Sequence, residues 1–179
     1  VLPHMINLPK HSNDLREKLK IPKKCKVFGG YGGKTSFSIK FVHKVIYEVA
    51  KKNKNIYFLF SNFNRFCPNL PNIIHLPAII DLDEKVKFIN TCDAMIWARI
   101  EGESFGIAIG EFSTLNKPVI AMNTGVHRAH FEILKHKGIW YKNELDLFTI
   151  FTNFDLLLKK KNLKDWNAYR DYEPEKVMK

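Results

Sequence analysis

A parallel β-sheet covered on both faces by helices is the fold class this sequence predicts, and two features of its patterning carry that expectation. Short β-branched or aromatic runs recur along the chain, and most segments between them place apolar residues at spacings of three and four. Strand and helix alternating in this way form right-handed βαβ units, which bury both faces of a parallel sheet. The strand runs are Lys26–Gly29, Ile56–Phe60, Ile73–Leu76, Ala94–Ala98, Pro118–Met122 and Gly138–Tyr141. Ser36–Lys52 reads as the first helix, because Phe37, Phe41, Val42, Val45, Ile46 and Val49 form one stripe. Asn153–Lys160 reads as a core-facing helix too short to cross a membrane. The expected architecture is a Rossmann-like sheet of about six strands, with ligands bound beyond the carboxyl ends of the strands.

Bulk properties narrow the function classes. With 179 residues and 45% hydrophobic content, the chain can bury a core and fits a single domain, residues 1–179, better than two. No apolar run approaches a membrane span, and "VLPHMINLPKHSND" lacks the apolar centre of a secretory signal, so the chain reads as soluble and intracellular. Cys25, Cys67 and Cys92 are odd in number and widely spaced, which suggests buried free thiols and neither disulfides nor a zinc site. A first residue of Val1 reads as an excerpt from a longer chain. The net charge of +11 favours an anionic small ligand. It does not predict nucleic acid as a partner, because the lysines are dispersed and the arginines are only Arg16, Arg65, Arg99, Arg128 and Arg170. The dense run Lys159–Lys161 ends a helix, where cations complement the dipole.

"VFGGYGGKTSF", Val27–Phe37, places glycines before a Lys-Thr pair at a strand-to-helix junction. A P-loop needs a glycine five positions before Gly33, and Phe28 stands there, so no triphosphate cradle is expected. The dinucleotide pattern fails as well, at Thr35. The glycines of this first loop instead let the backbone approach a ligand, or simply form a tight turn.

The segment Cys92–Gly125 is the most informative. The strand Ala94–Ala98 leads into a charged loop, and a helix is expected from about Ser104, with that serine as its N-cap. The free amides of Phe105, Gly106 and Ile107 would then face the binding edge and favour phosphate. Glu111 lies eight positions after Glu103, a helical rotation of roughly 800°, which returns it to within about 80° of the same face. Both carboxylates are therefore expected to line one cleft.

"EGESFGIAIGEFSTLNKPVIA" resembles the Glu-x7-Glu signature of the retaining GT-B glycosyltransferases that use nucleotide-sugar donors, family 4-like or group 1. Further matches follow in order: "VLPHMINL" resembles the family's interdomain entry, "LREKLKIP" its helix before the first strand, "VFGGYGGK" its first loop and "FINTCDAMI" a later helix and strand. By this resemblance the chain is the C-terminal, donor-binding half of such an enzyme, partnered by an N-terminal acceptor domain, cytoplasmic, with peripheral membrane contact left open. The resemblance assigns Glu103 to the sugar hydroxyls, Glu111 to the ribose, and Ser104, Phe105, Gly106 and Ile107 to the diphosphate of a UDP- or GDP-linked donor. It matches Ile80, Asp81 and Lys85 to the base. No cofactor or metal is implied. One departure stands in the first loop, where the family's arginine is replaced by Gly30; Gly33 closes that turn, and Lys34 and Arg99 are the cations at hand. Alone, this half would bind donor and transfer poorly.

His127 and His130 stand three apart, a spacing suited to one helix face, but no third ligand lies nearby, so capping or donor contact is the expected role. The rival functional classes are a non-enzymatic nucleotide-binding or interaction module of the same fold and, on charge alone, a nucleic-acid-binding domain.

Overall fold

A computed structural model describes residues 4–179, so the first residues of the segment resembling an interdomain entry, Val1–Pro3, lie outside the described residues. The chain runs through β1 (Lys26–Tyr31), α1 (Lys40–Lys52), β2 (Ile56–Ser61), β3 (Ile73–Leu76), α2 (Leu82–Thr91) and β4 (Ala94–Ile96). It continues through β5 (Gly102–Glu103), α3 (Ile107–Thr114), β6 (Val119–Ala121), β7 (His127–Arg128), α4 (Ala129–Leu134) and β8 (Gly138–Trp140). Helices α5 (Glu144–Thr152), α6 (Phe154–Lys161) and the short α7 (Pro174–Val177) complete it.

Six strands form one parallel sheet in the order β3-β2-β1-β4-β6-β8, while β5 and β7 pair separately. Each of the six expected strands is therefore present. Winding starts at β1, proceeds outward to β3, then returns to β4 on the other side of β1, which leaves a crevice between the carboxyl ends of β1 and β4.

Aromatic side chains cover both faces. Phe28 packs on Phe58, Phe151 and Phe154 beneath α5 and α6, whereas Tyr31 packs on Phe88 and Phe112 from α2 and α3. Three helical expectations are corrected. Helix α1 starts at Lys40, because Ser38 and Ile39 donate their amides to the Ala98 carbonyl at the end of β4 and the chain there is extended. Leu15–Lys20 forms turns and no helix. In α6 only Phe154 is buried and Leu156 is 53% exposed, so this helix is not core-facing along its length. Cys25 and Cys92 are buried and Cys67 is half-buried, all as free thiols.

Two glycines of the first loop have separate reasons. A Cβ on Gly29 would lie 2.5 Å from the Leu59 carbonyl oxygen and 2.6 Å from Cys92 Sγ, so this glycine lets β1 seat against its neighbours. A Cβ on Gly33 would meet only Ser36, at 3.9 Å. Gly29→Ala should therefore cost about 1–3 kcal/mol of stability, the range for overpacking, and Gly33→Ala no more than about 0.5 kcal/mol. Urea unfolding of the two variants measures this; equal losses would contradict it.

Candidate functional site

The crevice between β1 and β4 opens into a cavity of about 310 Å³. Its floor is the Tyr31–Gly33 turn and the end of β4, and its far wall is the turn Glu103–Gly106 with the first residues of α3. The near turn is pinned on both sides, since Asn62 Nδ2 donates to the Gly32 carbonyl (2.8 Å) and Ser36 Oγ to that of Gly33 (2.8 Å).

Helix α3 begins two to three residues later than the spacing predicts. Ser104 is exposed and caps nothing; the N-cap is Gly106, in the left-handed region at φ +82°. The reason is tertiary. Glu103 belongs to β5, paired with Arg128 of β7, and this pairing needs Gly102, whose φ is +78° and whose added Cβ would overlap the His127 carbonyl oxygen. The chain must complete that ribbon before it can wind. The amides without an intrahelical acceptor are thus those of Ile107, Ala108 and Ile109. Ser104, Phe105, Gly106, Ile107 and Ala108 all line the cavity. The turn is held from behind by Tyr169, whose hydroxyl donates to the Phe105 carbonyl (2.7 Å), while the Phe105 ring stacks on His4 (centroids 4.5 Å apart).

Glu103 sits in the cavity wall with its carboxylate occupied on both oxygens. The Trp97 indole N–H donates to Oε1 (3.0 Å) and Arg99 to Oε2 (3.2 Å). Its side chain is 18% exposed, so it is shielded but reachable. Trp97 is in turn stacked on the buried His130 ring (4.3 Å), which hydrogen-bonds the Met122 carbonyl through Nε2. Sequence reasoning passed over Trp97, which reads there as a strand residue.

Glu111 has a different fate. It is 7% exposed, lies outside the cavity lining, accepts the Tyr31 hydroxyl and pairs with Lys85 Nζ (3.4 Å). The two glutamates therefore do not share a cleft: with Glu103 on the β5 ribbon, the rotation from a common helix does not apply. Burial and the adjacent carboxylate push the Tyr31 phenol well above its ordinary range, so it remains a donor. Tyr31 and Gly32 separate the main cavity from a smaller one of about 110 Å³, lined also by Ser61, Asn62, Ala78, Ile79 and Lys85.

The remaining candidates divide. Lys85 borders the small cavity, but Ile80 is 91% exposed and Asp81 caps α2 by accepting the Glu84 amide (2.9 Å), so Ala78 and Ile79 stand where those two were expected. Lys34 is exposed and borders neither cavity, whereas Arg99 borders the main one. Gly30 lies within β1, close enough to Ile96 that a Cβ would sit 2.9 Å from its carbonyl oxygen. His127 is exposed on β7 and His130 is buried, so they do not converge. Among the described residues no cluster of three or more His, Cys, Asp or Glu is placed to hold a metal ion.

No family model matches this chain, and no curated protein matches it in sequence. Solved structures match its fold. HepE of Anabaena in complex with UDP-glucose aligns with a TM-score of 0.70 at 16% identity, over 91% of this chain and 49% of that one. TarM aligns with a TM-score of 0.67 at 17% identity, over 99% of this chain and 36% of that one. The C-terminal domain of LpcC, a glycosyl transferase group 1 family protein from Francisella tularensis, aligns at 0.62 and 19% identity over 93% of each. The chain has the fold of the C-terminal half of a GT-B glycosyltransferase. It spans half or less of the HepE and TarM chains.

Burial holds the His130 imidazole below its ordinary range, as it does His43 and His75. Each ring binds its proton more weakly folded than unfolded, so the stability it confers is complete above about pH 6.5 and is lost as the pH falls from there through the folded values. Unfolding free energy should therefore drop between about pH 7 and pH 5. In His130→Phe the drop should be smaller, because one of the three rings no longer titrates; an unaltered slope in urea titrations would show that His130 contributes nothing to it.

Proposed function

We propose that this chain is the donor-binding half of a glycosyltransferase, holding a nucleoside-diphosphate sugar, UDP- or GDP-linked, in the crevice between β1 and β4. The observation that carries this reading is the Glu103 carboxylate, fixed by Trp97 and Arg99 in the wall of a cavity that Ile107 and Ala108, at the start of α3, also line. Amides and helix dipole together suit a diphosphate, and a carboxylate fixed beside them suits sugar hydroxyls, each such charge-assisted bond being worth about 1.5–3 kcal/mol. The fold likeness to HepE, which was crystallised with UDP and with UDP-glucose, supports the same class of ligand.

In this reading the sugar lies against Glu103, and the diphosphate lies on the turn Ser104–Ile107 and the amides that follow it. Arg99 supplies the cation that Gly30 does not, and no divalent metal is required. Lys34 approaches only from the loop. The nucleoside extends past Tyr31 toward the small cavity beside Ile79 and Lys85. Glu111 takes ribose hydroxyls once the Tyr31 hydroxyl yields its place. Transfer is of the retaining type, takes place in the cytoplasm, and needs an N-terminal acceptor domain. A second reading, a nucleotide-binding module without transfer, draws on one specific observation: the Glu111 carboxylate is sealed by Tyr31 and Lys85.

Calorimetry with UDP, GDP, UDP-glucose and UTP tests these roles. The diphosphate should bind at least as well as the triphosphate, with or without a chelator, since the third phosphate has no cradle. A magnesium-dependent preference for the triphosphate would overturn the assignment of the crevice.

Two substitutions separate the glutamates. Glu103→Gln should leave the affinity for the bare nucleoside diphosphate unchanged and reduce the added affinity of the nucleotide sugar; equal losses for both ligands would misplace the sugar. Glu111→Ala should weaken nucleotide binding by about 1.5–3 kcal/mol, and Tyr31→Phe should strengthen it by freeing a carboxylate oxygen. If, with the fold intact by circular dichroism, nucleotide affinity is unmoved by both, the ribose is held elsewhere.

A further inference from the structure

The crevice occupies the carboxyl end of the sheet; the opposite end, where the chain enters each strand, is a lysine face. Lys23 and Lys24 precede β1, Lys51 lies in the last turn of α1, Lys54 precedes β2, and Lys159 and Lys160 lie on α6. All six are exposed and none forms an ion pair among the described residues. Three carboxylates at this end are engaged, Asp93 by Arg16, Asp155 by Lys26 and Asp165 by Lys137, while Asp14 and Glu17 beside Arg16 are exposed, so six free lysines stand against these two acids.

Helix α6 crosses this end from β1 to β8. Phe154 packs against Phe28 (5.0 Å), Lys26 pairs with Asp155 (2.8 Å), and Lys161 Nζ donates to the Gly138 carbonyl (3.2 Å). Its outward side shows Leu156 one turn before Lys159 and Lys160, an apolar side chain held in solvent beside two ammonium groups. Helix dipoles account for Lys51 and for the lysines that close α6. Lys23 and Lys24 precede a strand and complement no dipole. The cations of this end are compact point charges on flexible stems, which suit fluid headgroups, whereas nucleic-acid recognition favours arginine forks and aromatic stacking.

We propose that this face docks on an anionic lipid surface, with Leu156 at the headgroup boundary and the crevice turned away toward solvent. Each lysine brought near such a surface strengthens binding roughly fivefold, and the interaction is screened by salt. The proposal is independent of what the crevice binds.

Flotation with vesicles of phosphatidylcholine, alone and mixed with phosphatidylserine, tests it. The chain should bind only the mixed vesicles, at low salt, and release from them at high salt. Lys24→Glu/Lys160→Glu should lower binding at least about tenfold, whereas Lys40→Glu/Lys142→Glu, which carries the same net charge on helix and loop residues at the crevice end, should change it far less. Equal binding to neutral vesicles, or equal losses in the two double variants, would overturn the assignment. So would a duplex oligonucleotide that binds more tightly than the vesicles and displaces them, which would give the face to nucleic acid.

Discussion

Between β1 and β4 the chain reverses its direction of winding, and the site depends on that reversal. Right-handed crossovers then place the helices on opposite faces: α1 joins α5, as the Lys44–Glu144 pair shows, and α2 joins α3, as Lys85 and Glu111 show. The loop leaving β1 meets the chain just past β4, where Ser38 and Ile39 donate to the Ala98 carbonyl, and the cavity opens beside that contact. The strands can lie this close only because Gly29 and Gly30 present no Cβ to Leu59, Cys92 and Ile96. The glycines that imitate a phosphate loop in the sequence thus divide their work, the first pair seating the sheet and the second pair leaving the crevice floor bare.

The sheet was legible because its strands are uninterrupted apolar runs, buried on both faces, and a run of that kind has no other soluble use at this spacing. The helix boundaries were less so. The start of α1 is set by the Ala98 carbonyl, far away in sequence, and that of α3 by the β5–β7 ribbon, which joins Gly102 to His127. A local capping rule cannot see either. Glu103 and the turn Ser104–Ile107 line the crevice because both follow closely on β4. Ile80 faces solvent and Asp81 is taken up as the N-cap of α2, which a reading of the segment by resemblance does not foresee. Trp97 and Tyr31 carried no signal at all, as a tryptophan or tyrosine within an apolar strand reads as core until its polar atom finds a partner.

At the crevice end, Arg99 and Lys85 are each held by a carboxylate, and a partly buried carboxylate without such a partner would carry an uncompensated desolvation cost. At the other end the lysines stand unpaired in solvent. An anion entering the crevice meets the first turn of α3 and Arg99, which is shared with Glu103, while exposed lysines such as Lys40 and Lys142 stand at this end as others do at the far end.

Two glutamates eight positions apart end in such different surroundings because the β5–β7 ribbon delays α3 and Gly106 then turns the chain into it. Had the helix begun at Ser104, both would have faced one cleft with their carboxylates close together, and like charges in a shielded site raise each other's cost of ionisation. Gly106 prevents this. Its left-handed conformation, at φ +82°, turns the chain between Glu103 and Glu111, so one carboxylate stays with the ribbon and the other turns with α3 toward α2. Each then finds its own cation and its own aromatic donor: Arg99 and Trp97 for Glu103, Lys85 and Tyr31 for Glu111. A β-branched residue at position 106 would have to abandon that conformation, and the pairing of both carboxylates would go with it.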